Sequence, residues 1–137
     1  TVAEIFKRSG EQYFRELESQ VVVDLLGRPG LLVLATGGGV PLRAENRAAL
    51  KDRSFVVWLT ASVETISQRM LGDPNSLRRR PSLTSSRSAV DEISDVLRSR
   101  EPIYRECADL IVDTEGKSVD EIVDEILSRV ALQTTPR

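Results

Sequence analysis

Residues 31–39 read LLVLATGGG, an apolar run that ends in three consecutive glycines. The run from Leu31 to Thr36 is too short for a helix, and glycines flank it on both sides, which is typical of a buried strand in a parallel sheet. Ser54 to Thr60 (SFVVWLT) repeats this pattern, and Asp109 to Asp113 (DLIVD) repeats it less fully. The sequence therefore predicts three parallel strands.

Helical segments alternate with these strands. Thr1-Val2-Ala3-Glu4 has the T-x-x-E spacing of a helix start, and apolar residues between Glu11 and Leu26 recur at helical spacing. Similar patterns predict four further helices, over Arg43–Lys51, Ser62–Leu71, Ala89–Cys107 and Ser118–Ala131. Pro102 is expected to disturb the third of these. The last opens with the capping box Ser118-Val119-Asp120-Glu121. This alternation predicts an α/β fold with a parallel sheet in one domain, and residues 133–137 are predicted to be a frayed tail.

The composition excludes several classes of function. A net charge of -2 and a pI near 5.3 provide no basic field for nucleic acid, so an anionic ligand would be small and held by individual arginines. The chain contains no histidine, which excludes Ser-His-Asp, Cys-His and His-metal chemistry within it. With one cysteine, Cys107, and no apolar run of about 18 residues, neither an internal disulfide nor a membrane span is predicted, and the cytoplasm is the default location.

Residues 72–88 read GDPNSLRRRPSLTSSRS and show no apolar periodicity. Such a polar stretch predicts a long loop, and loops above about 12 residues in compact domains are often active-site lids. A lid rich in arginine suits closure over phosphate. The alternative is an ordinary solvated surface loop.

The three glycines at residues 37–39 follow a predicted strand directly, where ligands bind in open α/β sheets. Glycines at this position allow backbone N–H groups to approach a ligand closely, although a flexible turn is the alternative. The sequence around them is not the dinucleotide motif G-x-G-x-x-G. The phosphate-binding string G-x-x-x-x-G-K-[ST] occurs nowhere in the 137 residues.

Arginines provide the other candidate groups. Arg15 lies three residues before Glu18, so the two side chains can pair on one helix face. Arg100 lies just before Pro102, where a disturbed helix could turn the side chain into a cleft. A run of three arginines, Arg78–Arg80, lies in the predicted lid. Each of these taken singly has an ordinary interpretation as solvated surface charge.

Four motifs in one order make the chain resemble the shikimate kinase family. They are F-R-x-x-E (Phe14, Arg15, Glu18), T-G-G-G (Thr36 to Gly39), R-P (Arg80, Pro81) and R-x-P-x-Y (Arg100, Pro102, Tyr104). The resemblance runs from about Thr1 to Val130. It implies a P-loop-kinase-like three-layer α/β fold, a parallel sheet flanked by helices, in one domain over residues 1–131, with the lid at about 72–88 and a tail over 132–137.

The resemblance implies a substrate site. Arg15 and Arg100 would bind the carboxylate of shikimate, and the backbone of Gly37, Gly38 and Gly39 would line the same pocket. Two guanidinium groups on one carboxylate would form charge-assisted hydrogen bonds in a planar geometry that lysine does not provide.

The resemblance also implies the reaction, ATP-dependent phosphorylation of the shikimate 3-hydroxyl in aromatic amino-acid biosynthesis. Arg80 would be the catalytic arginine of the lid, reaching shikimate, the transferred phosphoryl group and ATP. Arg69 would lie near the nucleotide. Shikimate, ATP and Mg²⁺ are the implied ligands, nucleic acid and membranes are not expected as partners, and a complete protein is expected to be a monomer.

The sequence departs from the family pattern at its beginning. The family's first two strands and its Walker A loop have no counterpart here, so no metal ligand is assigned and the 137 residues alone are expected to be inert. The family's first strand is central, so we expect its absence to expose sheet edges and apolar faces, and we expect the native protein to be longer. Ser82 and Val119 replace residues common in the family's lid packing and adenine contact.

Two alternatives remain open at this stage. A related small-molecule kinase such as gluconate kinase shares the implied architecture, although R-x-P-x-Y and F-R-x-x-E favour a cyclic carboxylate substrate. A non-catalytic module that retains the arginine pocket is the other alternative, and the missing phosphate loop is its main support.

Overall fold

A computed structural model describes residues 2–72 and 89–134 of the chain. These residues form five α-helices, one 3₁₀ turn and two strands. In chain order they are α1 (Val2–Leu26), the 3₁₀ turn (Val40–Leu42), α2 (Ala44–Arg53), β1 (Val57–Thr60), α3 (Val63–Gly72), α4 (Ala89–Cys107), β2 (Leu110–Asp113) and α5 (Val119–Thr134).

The two strands form a parallel pair. Val57 lies opposite Leu110, and the register continues to Thr60 opposite Asp113. The pair is closed at its carboxyl end by Thr114, whose backbone N–H donates to the Thr60 carbonyl at 2.9 Å. The second and third predicted strands are thus confirmed, although the second begins at Val57 instead of Ser54 because residues 54–56 form no ladder.

The predicted strand from Leu31 to Thr36 is wrong. These residues pair with no strand in the described part of the chain, and Leu31 and Val33 are almost fully exposed, at 101% and 91%. An apolar run indicates that a segment suits a sheet interior, but strand geometry and burial also require a neighbour to bond and cover it. The expected exposure of apolar faces is therefore seen at this segment.

The buried core lies beside this segment, where α1, α2 and α4 meet the 3₁₀ turn. Its members are Val22, Val40, Leu50 and Cys107. Burial raises the pKa of the Cys107 thiol, so the group behaves as a small apolar side chain. Asn46 is fully buried among them, and its amide donates to the Val40 carbonyl at 3.0 Å. The core thereby anchors the chain immediately after the glycines at 37–39.

The helices agree with the sequence in number and type but differ in detail. Helix α1 joins the first two predicted helical segments, with one non-helical residue, Gly10, whose positive φ of 80° glycine adopts without strain. The prediction that Pro102 disturbs the fourth helix is wrong, since α4 is continuous through it. Helix α5 extends to Thr134, so the predicted tail is helical over its first two residues.

The capping box at the start of α5 is confirmed. The Ser118 backbone N–H and hydroxyl both donate to the Glu121 carboxylate, at 2.7 and 2.8 Å, and the Glu121 backbone N–H donates back to the Ser118 hydroxyl at 3.3 Å. The donated backbone hydrogen bond lowers the pKa of Glu121.

Several predicted features lie outside the described residues. They are Thr1 of the first capping box, the lid from residue 73 onward, including Arg78–Arg80, Pro81 and Ser82, and residues 135–137. Among the helices that are described, none combines the length and the apolar character needed to cross a membrane.

Replacing Ser118 with alanine should lower the free energy of unfolding by about 1 kcal/mol, because the hydroxyl and its two hydrogen bonds with Glu121 are lost. The pKa of Glu121 should rise only part of the way toward its ordinary value, because alanine keeps the backbone N–H whose hydrogen bond is the larger cause of the lowering. Since a lowered carboxyl pKa contributes stability above the unfolded pKa and loses it as pH falls through the folded pKa, the difference between the two proteins should shrink in acid. Urea unfolding and NMR titration of Glu121 measure both effects.

The matched control is Ser128→Ala, on the exposed middle of the same helix. Alanine is the better helix former there, so this change should be neutral or slightly stabilising. Equal destabilisation by the two substitutions would show that the box contributes nothing to the helix.

Candidate functional site

The loop at residues 37–39 has its three carbonyl groups turned toward the protein. The Gly37 carbonyl accepts from the Val40 N–H at 3.0 Å, and the Gly39 carbonyl from the Leu42 N–H at 3.1 Å. The Gly38 carbonyl accepts from the Tyr104 hydroxyl at 2.6 Å. Within residues 2–72 and 89–134, the N–H groups of these glycines donate to no protein atom. The loop therefore presents backbone donors without acceptors.

These positions need glycine for space. None of the glycines at 37–39 has a positive φ. Gly39 is in the ordinary right-handed region, with φ -86° and ψ -20°. A Cβ on Gly38 would lie 2.8 Å from the Tyr104 hydroxyl oxygen, and one on Gly39 would lie 2.6 Å from Cζ of Arg15. Side chains from α1 and α4 thus contact the backbone directly at this loop.

Arg15 reaches the loop from α1, between two carboxylates. Its Nη1 donates to Glu18 at 3.1 Å and its Nη2 to Glu11 at 3.2 Å. Arg15 and Glu18 are 24% and 16% exposed, and a Cβ on Gly37 would be 3.3 Å from the Glu18 carboxylate. The predicted pairing of Arg15 with Glu18 is confirmed. Glu18 holds the guanidinium over Gly39.

Arg100 reaches the same loop from α4. Its Nη1 would be 3.6 Å from a Cβ on Gly38, and the side chain is half-buried. No residue in the described ranges forms an ion pair or hydrogen bond with it. A half-buried unpaired cation beside unpaired backbone N–H groups is an arrangement that favours an anionic ligand.

Tyr104 is a part of this site to which the sequence motif alone assigned no role. It lies four residues after Arg100, on the same face of α4. Its ring meets the Trp58 ring of β1 at 5.8 Å in an edge-to-face contact, and the Arg105 guanidinium covers Trp58 at 5.6 Å from the ring centroid. The spacing in R-x-P-x-Y was the available signal, since it places both side chains on one stripe.

A cavity of about 440 Å³ lies elsewhere, beyond the carboxyl ends of β1 and β2. Arg69 from α3 lies in its wall and donates to the Thr114 hydroxyl at 2.8 Å and to the Thr114 carbonyl at 3.0 Å. Apolar side chains and a second cation complete the lining, which consists of Leu59, Thr60, Ala61, Ile66, Arg69, Thr114, Lys117, Val119 and Ile122. None of the glycine-loop groups lines this cavity.

A carboxylate joins the loops at the edge of the same cavity. Glu115, which follows Thr114, accepts hydrogen bonds from the Thr65 hydroxyl and from the Ser62 backbone N–H. These hydrogen bonds lower the pKa of Glu115, and the bond from the Thr65 hydroxyl has the larger effect. They connect the loop after β2 to the start of α3, and so hold the Arg69 side of the cavity together.

The structure brings together Arg15, Gly37, Gly38, Gly39 and Arg100, five of the residues that the resemblance placed in one pocket. Arg69 lies in the separate cavity, and Arg80 lies outside the described residues. Among residues 2–72 and 89–134, no group of three or more Cys, Asp or Glu side chains is placed to hold a metal ion.

Solved structures of known proteins are similar to this chain over most of its length. The shikimate kinase from Acinetobacter baumannii in complex with shikimate superimposes with a TM-score of 0.86 at 34% identity, covering 99% of this chain and 73% of that one. The shikimate kinase from Aquifex aeolicus gives a TM-score of 0.73 at 30% identity, covering 96% and 72%. The fold is thus the predicted P-loop-kinase fold.

The sequence comparisons agree with the structural ones. The shikimate kinase of Geobacter sulfurreducens is 43% identical over 95% of this chain and 68% of its own length, and that of Rhodopirellula baltica is 40% identical over 93% and 67%. The shikimate kinase family model matches residues 1–131. Nothing in these matches favours the gluconate kinase or non-catalytic alternatives, and the chain belongs to the shikimate kinase family of phosphotransferases.

Proposed function

We propose that this chain forms the shikimate-binding side of an enzyme that transfers a phosphoryl group from ATP to the shikimate 3-hydroxyl. The observation that carries the proposal lies at the loop of residues 37–39: within the described ranges neither the Arg100 guanidinium nor the N–H groups of the loop have a partner, and Arg15 is held over the same loop. A small ligand that combines a carboxylate with hydroxyl groups matches these donors.

The two arginines contribute unequally. Arg15 already donates to Glu11 and Glu18, which offset much of its charge, so its contribution is mainly directional. Arg100 has no such partner in the described part of the chain, and it gains a counter-charge when a carboxylate binds. A hydrogen bond to a charged group contributes about 1.5–3 kcal/mol, and Arg100 is expected to reach the upper part of that range.

The nucleotide is assigned to the second cavity. Leu59, Val119 and Ile122 offer apolar surface to a purine ring, while Arg69 and Lys117 offer positive charge at its rim. Bound ATP with Mg²⁺ supplies the phosphoryl group and neutralises part of its charge. The part of the described residues in the reaction is to bind and position the acceptor and the nucleotide.

Arg80 is assigned to the transition state. A guanidinium delivered by a lid would stabilise charge on the equatorial phosphoryl oxygens, and closure of the lid would exclude water that competes with the acceptor hydroxyl.

The alternative is that the chain binds the acid without transferring phosphate. Assaying the full-length protein for shikimate-dependent formation of ADP separates the two, because a binding module would form none.

Replacing Arg100 with alanine in the full-length protein should weaken shikimate binding at least tenfold, about 1.4 kcal/mol, because the unpaired cation is removed. Isothermal titration with shikimate measures the change. Arg98→Ala is the matched control, since Arg98 is exposed on the same helix and its loss should leave the affinity unchanged. Equal affinities for wild type and Arg100→Ala would remove Arg100 from the site.

Replacing Arg80 with alanine should lower kcat more than it weakens ground-state binding of shikimate, because its charge is needed mainly in the transition state. Steady-state kinetics compared with equilibrium titration separates the two quantities. Arg78→Ala, in the same basic run, controls for the overall charge of the lid. Wild-type turnover by Arg80→Ala would leave the lid arginine without a catalytic role.

A further inference from the structure

We infer that Tyr104 is a positioning residue that sets the orientation of the Gly38–Gly39 peptide and so aims the Gly39 N–H at the substrate. The inference rests on the proposed function, because it concerns how the shikimate pocket is formed. It assigns to Tyr104 a task that Arg15 and Arg100 do not perform.

The peptide units of the loop are held in different ways. Those that contain the Gly37 and Gly39 carbonyls are held by backbone N–H groups of the 3₁₀ turn, Val40 and Leu42. In the middle unit the Gly38 carbonyl accepts a hydrogen bond from the Tyr104 hydroxyl at 2.6 Å. No backbone N–H of the described residues donates to it. Glycine on both sides makes rotation of this peptide sterically easy, so a side chain has to prevent it.

Because the peptide is planar, the hydrogen bond to the Gly38 carbonyl also fixes the direction of the Gly39 N–H. In a trans peptide the C=O and the following N–H point in opposite directions. The structure contains no cis peptide bond in its described residues. Holding the Gly38 carbonyl against Tyr104 therefore turns the Gly39 N–H away from α4. Arg15 lies over Gly39, so a ligand group bound there would be within reach of both the Gly39 N–H and the Arg15 guanidinium.

Tyr104 is itself well fixed. Its edge-to-face contact with Trp58 ties the ring to β1, and Arg105 covers the Trp58 ring. Tyr104 also lies one helical turn beyond Arg100. Any movement of α4 that displaced Arg100 would consequently disturb the Gly38 carbonyl as well. One side chain thus couples the position of the substrate-binding arginine to the orientation of the loop's donors.

The test is Tyr104→Phe in the full-length protein, which removes the hydroxyl and retains the ring contact with Trp58. Shikimate binding should weaken about fivefold to tenfold, as expected for one lost directional donor, while the KM for ATP stays at the wild-type value. The NMR amide resonances of Gly38 and Gly39 should shift, whereas those of Gly72 and Gly116 should not. Tyr13→Phe, at the exposed second tyrosine of the chain, is the matched control and should change none of these.

A second variant keeps the test independent of any effect of Tyr104→Phe on folding. Gly38→Ala places a methyl group 2.8 Å from the hydroxyl oxygen and should displace it, giving a similar loss of affinity. Because both changes break the same hydrogen bond, the double variant should bind shikimate no more weakly than the weaker single variant. Additive losses would overturn the inference.

The remaining outcomes distinguish the inference from the proposed function. If wild type binds shikimate and Tyr104→Phe binds it equally well, or binds it weakly without movement of the Gly38 and Gly39 resonances, the positioning role is wrong and the proposed function stands. If wild type does not bind shikimate, the proposed function fails and the inference fails with it.

Discussion

The close approach of two helices to the backbone at residues 37–39 is the constraint on which the candidate site depends. Arg15 from α1 and Tyr104 from α4 occupy space that a Cβ on Gly39 or Gly38 would fill. The φ values there are ordinary, so the glycines are required by contact and not by conformation. A side chain at Gly38 would displace the Tyr104 hydroxyl, and one at Gly39 would displace the Arg15 guanidinium.

This constraint also sorts the polar groups of the loop. Its carbonyls accept hydrogen bonds from the 3₁₀ turn and from Tyr104, whereas its N–H groups have no acceptor among the described residues. The arginines show the same division between structure and ligand binding. The exposed part of the Arg15 pairing contributes little to stability, so its carboxylates chiefly orient the guanidinium. Arg100 has no such partner among the described residues, and keeping a half-buried cation unpaired costs solvation energy that an anion recovers on binding.

The second cavity is built on a different principle. Thr114 is almost fully buried, and its hydroxyl donates to the Thr60 carbonyl while it accepts from Arg69. One side chain therefore links β1, β2 and α3 at the carboxyl ends of the strands. None of the described residues that form the glycine loop lines this cavity. Strand β1 connects the two places, since Thr60 lines the cavity and the Trp58 ring contacts the Tyr104 ring beside the loop.

Features that depend on near neighbours could be predicted from the residue pattern alone: the α/β class, the helices to within a few residues at their ends, the capping box at Ser118, and the pairing of Arg15 with Glu18. These follow from spacing along one chain, because helix periodicity and caps act over a few residues. The motifs F-R-x-x-E and R-x-P-x-Y also pointed to Arg15 and Arg100, which the structure places at the same glycine loop. The remaining features depend on how distant segments pack. The tertiary structure left Leu31–Thr36 exposed, because burial of a strand requires a neighbour that no local pattern describes, and it aimed Tyr104 at Gly38, because a contact across 66 residues depends on how two helices pack.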